Sequence, residues 1–531
     1  MVKSSTDRRA YSRFAIAGCI FFFLTGQALI PLLGVQNDEA LFGYAFFRPR
    51  TGFAVQLGHS PLPLMLMSYL GTLKAWIYRP VFAVFQPGIW SLREPALLAG
   101  VGSIWLSFLL LRRIAGGRAG VIGCGLLVTD ALFLLTVCFD WGPVALQHLL
   151  LVGGMYLLVR FYQEGRTGPL FGGFLLFGLA MWDKALAAWM LGGFGVAALV
   201  VFPRQIWGVT TPRRVGVAVL AFALGALPLI IYNVDNQFST FRGQDYSARE
   251  MGSKARLLAE SLRGAGGLMG WMVNEDGQAK MPHAAGNLLE GASAKLSSLA
   301  GRPRHSLQLY AFVVALLLIP LARGGELRAI LFALVAMAVQ WLQMAMVVGA
   351  GGSVHHSILI WPLPQMIIAI SFAAASRRLG RAGRPVAAGV LAVLMLSGVL
   401  LINEYYRMAW RNGGGVNWTD AIYPLSDYLK RAPAGRVYCM DWGMLDSLRV
   451  LGRGRLPLDL PPDPPDDVQA IRRAAGAPDH LFVAHEPGFE FFPETNARFL
   501  KAAEAAGFRR KPVAVIADSY GMPAYDLYRF E

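Results

Sequence analysis

A chain of 531 residues that is 55% hydrophobic and 15% charged is not an ordinary soluble enzyme, whose charged share is about a quarter; it reads as a polytopic membrane protein with one substantial polar domain. The formal charge of +16 would suit nucleic acid, but the basic residues fall in short clusters between apolar runs, with no Lys/Arg stripe interleaved with aromatics. The charge therefore reports membrane topology, and no nucleic-acid partner is expected.

Residues 14–35 carry no charge, enough for a helix to cross about 30 Å of hydrocarbon. The basic cluster before them (Lys3, Arg8, Arg9, Arg13) looks like the start of a signal sequence. The apolar run is too long for one and lacks a small-x-small cleavage site, so a retained first helix is expected. Gln36, Asn37, Asp38 and Glu39 follow at once and bring two adjacent carboxylates to the bilayer surface. The segment 37–93 then mixes aromatics, prolines and basic residues; within it 62–85 reads as helices lying in the interface.

Further apolar runs at 92–111, 119–138, 144–161, 169–182, 185–202, 215–232, 306–322, 329–349, 357–375 and 385–402 predict about eleven membrane helices in all. The breaks at 1–13, 112–118, 160–167, 203–214, 321–328 and 376–384 each hold two or more Arg or Lys, while the opposite breaks hold most of the acids. That alternation puts the N-terminus inside and the tail outside. The segments 37–93 and 233–305 become long external loops, the second with helical stretches at 248–263 and 284–299.

Beyond residue 402 the composition changes. An amphipathic helix over 423–430, short buried strands at 436–440, 480–484 and 512–517, and a helix over 494–506 predict a small α/β domain. The expected fold is an all-α polytopic membrane domain over 1–402 and a small soluble α/β domain over 403–531. No glycine-rich phosphate loop follows any of the strands, so no nucleotide site is expected. The four cysteines, Cys19, Cys124, Cys138 and Cys439, form neither a CxxC pair nor a disulfide framework, and nothing follows about redox chemistry.

Several residues are candidates for chemistry. A carboxylate at a partly desolvated membrane boundary, such as Asp38 or Glu39, can have its pKa raised and serve as a general base. The alternative is a solvated helix end, against which stands the interfacial segment that would roof the pair. Asp130, near the middle of the third apolar run, is functional by default or else a structural hydrogen bond between helices. Asp140, before Trp141, Gly142 and Pro143, has ordinary turn chemistry but can face the same cavity, and His148 can reach inward. External cations able to hold a phosphate are Arg48, Arg50, His59, Lys74, Arg79, Lys184 and Arg242, the alternative being that they snorkel to lipid headgroups. The adjacent His355 and His356 do not share a helix face, and no HExxH, DxDxD or EF-hand loop is present, so no metal is expected. Covalent acyl chemistry has no GxSxG or other nucleophile set behind it.

Taken together, this layout resembles the GT-C membrane glycosyltransferases, in particular the branch of protein O-mannosyltransferases and lipid A aminoarabinose transferases. The resemblance rests on Asp38 and Glu39 directly after the first helix and on the turn His59, Ser60, Pro61, Leu62, which is similar to the His/Lys-Pro-Pro-Leu element of that branch. It rests also on Thr129 and Asp130 in the third helix, the number of crossings and the domain after the last one. At the level of motifs it covers roughly residues 14–190. Ser60 stands where the branch has its first proline, and against the aminoarabinose transferases His59 replaces a lysine, so the cation that holds the donor phosphate stays open.

The resemblance implies a sugar donor on a polyprenyl phosphate, Asp38 as the base toward the acceptor with Glu39 assisting, and substrate contacts from His59, Lys74, Arg79, Asp130, Asp140 and Lys184. No cofactor is implied, and the acceptor is left as a lipid, a glycan or a protein. Such a donor is already activated and needs no nucleotide pocket; attack from the face opposite the phosphate inverts the sugar without a covalent intermediate. Two other classes compete: a lipid or solute transporter or flippase, disfavoured because no internal repeat or symmetric pair of broken helices is visible, and a non-catalytic binding protein of the same fold. The Arg-, Gly- and Ala-rich composition points to a bacterial inner membrane, with membrane lipids around the helices and the active site and tail on the periplasmic side. The tail is expected to contribute no catalytic carboxylate.

Overall fold

Inside a bilayer the backbone has no partner but itself, so each long uncharged run folds as a helix. The computed structural model describes residues 5–47, 52–58, 60–264, 266–462 and 467–531. Among these residues, six helices are long and apolar enough to cross a membrane, and nine spans result if each of three bent helix pairs counts as one. The chain is an integral, polytopic membrane protein. Every one of the eleven runs coincides with helix; outside the bent pairs, Thr167–Asp183 and Gln308–Leu317 are short, with 17 and 10 residues.

The bends correct the picture of straight runs, and each has a local cause. The third run breaks into Gly117–Val128 and Ala131–Cys138 at 62°, because Asp130 is extended (ψ 108°) and its carboxylate caps the second piece by accepting from Phe133 N–H. Pro203 opens a helix turned 98° from Ala187–Val201. Pro228 likewise opens Leu227–Asp235, turned 72° from Pro212–Gly225, since proline removes a helix donor and clashes with the preceding turn.

The first external segment is not helical throughout, as 62–85 was expected to be. Strands β1 (Phe53–Leu57), β2 (Ser60–Met67) and β3 (Leu70–Gly71) form an antiparallel sheet before the helix Leu73–Phe85 begins. Pro61 and Pro63 exclude a helix interior there, and Leu57 pairs with Ser60 across a turn that holds Gly58 at φ +61°. The membrane domain is thus largely, not wholly, α-helical. In the second external loop, helices Met251–Leu262 and Leu288–Ala300 stand close to the two stretches read from sequence.

The last membrane helix, Gly383–Asn412, continues well past 402 and ends at Gly413 with φ +80°. Beyond it lies a five-stranded sheet in the order β5-β4-β6-β8-β7, from β4 (Arg436–Cys439), β5 (Leu458–Asp459), β6 (His480–His485), β7 (Arg510–Ala517) and β8 (Pro523–Phe530). The parallel strands β4, β5 and β6 hold the centre and one edge, and β8 and β7 add antiparallel on the other side. Strand β7, expected to be buried, is a largely exposed edge, and β5 and β8 are additional.

This domain is docked on the membrane half. Gly34, just after the first helix, donates its N–H to Trp418 O at 2.8 Å; a Cβ on Gly34 would fall 1.9 Å from the Thr419 oxygen, so only glycine allows the contact. The helix Leu445–Leu451 packs on the short helix Asn37–Leu41, with Val450 joining Leu41, Phe42 and Tyr44 in one buried cluster.

Candidate active site

The site grows from the polar tetrad. Gln36 caps the helix Asn37–Leu41, its Oε1 accepting from the N–H groups of Asp38 (2.6 Å) and Glu39 (3.3 Å). Successive residues on a helix point about 100° apart, so the two carboxylates part company. Glu39 turns inward and is fully buried. Arg93, near the start of Ile89–Ala115, meets it with Nε–Oε1 at 2.7 Å and Nη2–Oε2 at 3.0 Å. The other guanidinium donors reach the carbonyls of Ile30, Leu33 and Gly34 at 2.5, 2.9 and 2.7 Å, where the first helix has run out of its own partners. Both oxygens of Glu39 are committed to Arg93.

A second buried pair lies beside the first. Lys74 Nζ sits 2.6 Å from Asp140 Oδ2 and donates to the Glu39 carbonyl at 3.2 Å. The other Asp140 oxygen accepts from Ala145 N–H at 3.1 Å. Neither Lys74 nor Asp140 lines the cavity described next. Asp130 sits apart at its helix break, accepting from Trp361 Nε1 (2.7 Å) and Gln365 Nε2 (3.0 Å). Arg79 is exposed, with its guanidinium 4.7 Å over the Phe46 ring. His59 lies outside the described residues.

Among the described residues, Asp38 and Lys184 are the two expected site residues that the fold brings to one cavity, of about 740 Å³, between the external segment and the C-terminal domain. Lys184 stands in the turn after Thr167–Asp183, held to the sheet by Ala185 N–H donating to Tyr69 O at 2.9 Å. Its Nζ donates to Gly142 O at 3.3 Å. Burial pushes Lys184 down to about 8, against the pull of Asp38, Asp183 and Asp140. Burial also lifts Asp38 above its ordinary value, opposed by the Lys184 charge and a hydrogen bond from the Trp141 side chain.

Two histidines set aside as metal ligands line the same cavity. His355 lies 4.7 Å from the Trp141 ring and 4.1 Å from His356, centroid to centroid. Each Nδ1 is engaged in the preceding turn, His355 with Ser353 Oγ at 2.8 Å and His356 by accepting from Gly351 N–H at 3.3 Å. Gly142 (φ +78°) makes room: a Cβ there would stand 3.2 Å from both His355 Cδ2 and Lys184 Nζ. The glycine-rich turn before the histidines was the one signal in the sequence that could have found them.

The C-terminal domain supplies further lining through Asp441, Trp442, Asp446, Arg449 and Phe492. Asp441 organises its own loop, accepting from His485 Nδ1 at 2.8 Å and from the N–H groups of Phe491 and Phe492 at 2.8 and 3.0 Å. Burial by itself would raise that carboxyl; these hydrogen bonds outweigh it and hold it below its ordinary value. Among the described residues, no group of three His, Cys, Asp or Glu is placed to hold a metal ion.

The wider comparisons agree on the architecture. Residues 71–232 match the family described as dolichyl-phosphate-mannose-protein mannosyltransferase. No curated protein matches the chain. Among solved structures, ArnT from Cupriavidus metallidurans bound to undecaprenyl phosphate superposes with a TM-score of 0.55 at 12% identity, covering 99% of this chain and 98% of that one. Its apo state gives 0.56 at 13% identity, with 98% of each chain covered. The oligosaccharyltransferase AglB from Archaeoglobus fulgidus, in complex with an inhibitory peptide and a dolichol-phosphate, gives 0.50 at 12% identity, covering 98% of this chain and 74% of that one. At such identities the structures speak for the fold, and with the family match they make this chain a GT-C-fold membrane protein related to the PMT- and ArnT-type transferases.

Proposed function

We propose that the protein is an inverting glycosyltransferase that moves a sugar from a polyprenyl-phosphate donor to an acceptor hydroxyl at the external membrane face. The observation that carries this reading is the contrast within the tetrad. Glu39 is closed off by Arg93, whereas Asp38 faces a cavity that also holds Lys184 and two histidines. The undecaprenyl phosphate in the ArnT structure and the dolichol-phosphate in AglB support the donor class.

In this mechanism Asp38 is the general base. It takes the acceptor proton as the hydroxyl oxygen attacks the anomeric carbon, the bond from that carbon to the phosphate oxygen breaks, and its electron pair leaves with the phosphate. Lys184 stabilises the charge that builds there, with His355 and His356 beside it. Glu39 positions the Asp38 helix through Arg93 and takes no part in proton transfer. Lys74 and Asp140 brace the same helix from below, and Asp130 fixes the bend of the third span. Arg79 has no part in the site.

The test is turnover of a labelled polyprenyl-phosphate sugar by the purified protein. Release of polyprenyl phosphate with consumption of the sugar, absent in Asp38→Asn, is expected. Movement of intact donor across a vesicle membrane without cleavage would instead make the protein a transporter.

Orientation belongs to the same reading: eleven crossings of a bacterial inner membrane, N-terminus inside, and cavity and tail on the periplasmic side. It is supported by the charge alternation and by the joint approach of the ends of the first and last membrane helices to the docked domain. The four native cysteines are buried, which leaves single introduced cysteines readable. Gln278→Cys should react with an impermeant thiol reagent in intact cells and Arg381→Cys should not; the reverse pattern would invert the topology.

A further inference from the structure

The mechanism leaves the wall formed by the C-terminal domain without a task. The helix Leu445–Leu451 is fixed to the helix of the base: Asp446 N–H donates to Asn37 Oδ1 at 3.2 Å. Its cavity side presents Asp446 and Arg449, each 8% exposed and joined by an Nη1–Oδ1 bond of 2.9 Å. The guanidinium lies 5.1 Å from the Tyr44 ring, and its Nε is buried without an acceptor. Trp442, half-buried, stands at the same wall with its indole edge-on to Phe491 at 4.6 Å. Asp446 is pushed up to about 6, by burial first and also by the charge of Asp38, with Arg449 and Asn37 opposing.

As a structural device this wall makes little sense. A buried ion pair costs about as much in desolvation as it returns in attraction, and an unmet buried N–H adds a further desolvation cost. As a binding device it is complete. Neighbouring hydroxyls on a sugar ring can donate to the carboxylate and accept from the guanidinium together, while the apolar face of the ring lies on an indole. A lone side-chain hydroxyl, by contrast, meets only one partner of the pair.

We propose that Asp446, Arg449 and Trp442 form an acceptor subsite, and that the acceptor is a carbohydrate hydroxyl rather than that of a serine or threonine side chain. The subsite lines the same cavity as Lys184 and Asp38, and Asp446 is tied to the Asp38 helix through Asn37, so the ring it holds would present a hydroxyl toward Asp38. This inference rests on the transfer reading for its meaning, but it can be tested without any donor.

The experiment is saturation-transfer NMR on the full-length protein in detergent. The probes are methyl glycosides of glucose, galactose, mannose and N-acetylglucosamine, and a hexapeptide containing serine and threonine. At least one glycoside should show saturated ring protons with the wild type, fall at least about fivefold in Arg449→Gln and in Trp442→Ala, and recover in Trp442→Phe, which keeps an aromatic face. Trp442→Ala carries the test if Arg449→Gln does not fold, because Trp442 is only half-buried. The proposal is overturned if no glycoside binds the wild type, if binding is unchanged in the folded variants, or if the hexapeptide alone is saturated. Donor cleavage without glycoside binding would sink this subsite and leave the transfer reading standing; glycoside binding without donor cleavage would do the opposite.

Discussion

The layer of ion pairs beneath the external segment and the cavity wall above it are made from the same residue types, in places from adjacent residues. In the lower layer, Glu39 with Arg93 and Asp140 with Lys74 are closed, with bonds of 2.6 to 3.0 Å and further bonds to backbone groups. In the wall, Asp38 and Lys184 influence each other's charge while both remain open to the cavity. The difference separates two uses of buried charge. A charge whose partners are complete holds the fold, and one whose partners are incomplete beside a cavity is available to a ligand. Adjacency in sequence does not decide which, because one helical step turns a side chain from one layer to the other.

The two carboxylates should therefore fail in opposite ways. Asp38→Asn keeps the size of the side chain and removes the proton acceptor, so kcat should fall by about 10²–10⁴-fold, with donor affinity and unfolding temperature unchanged. Glu39→Gln leaves the Arg93 guanidinium uncompensated in a fully buried site, at a cost of about 3–5 kcal/mol. Its signature is a depressed unfolding transition, with turnover per folded molecule close to that of the wild type. The measurement is unfolding and turnover on the same preparations. A stable but inactive Glu39→Gln beside an active Asp38→Asn would exchange the two roles.

Much of the frame could be read from composition and period. Among the described residues each uncharged run coincides with helix because the bilayer leaves such runs one choice, whereas the straight runs read from composition omit the bends at Pro203 and Pro228, although each proline marks one. The break at Asp130 was harder, since one polar residue in an apolar run gives no sign that it will leave the helix and cap the next piece. The β1–β2 hairpin was legible in principle from Pro61, Pro63 and the Gly58 turn, which outweigh the amphipathic pattern of 62–85. Asp38 stood out as a charge at a helix end. The rest of the cavity did not. His355 and His356 do not share a helix face and carry no metal-ligand spacing that would mark them, and Asp446 meets Asn37 across 409 residues of chain. Only docking of the C-terminal domain creates that contact, so no local signal in the sequence shows which tail residues line the cavity.

The cations give a gentler form of the same contrast. Lys184→Gln should raise the donor KM and lower kcat, each by on the order of tenfold, because a charge-assisted hydrogen bond contributes about 1.5–3 kcal/mol and charge grows on the leaving phosphate. Its pH behaviour has a definite sign. Burial lowers Lys184 to about 8, so the cation is present below that pH and lost above it. kcat/KM, which reports the free enzyme, should fall on the basic side of about pH 8. Lys184→Arg keeps its charge to far higher pH and should lose that basic limb whatever its absolute rate. Arg79→Gln marks the small end of the series. Its guanidinium lies over Phe46, outside the cavity, so KM, kcat and the pH profile should stay within about twofold of the wild type, as for an exposed side chain away from any special feature. A raised donor KM in Arg79→Gln with Lys184→Gln unaffected would move the phosphate out of this cavity and dissolve the distinction between its open wall and the closed layer beneath.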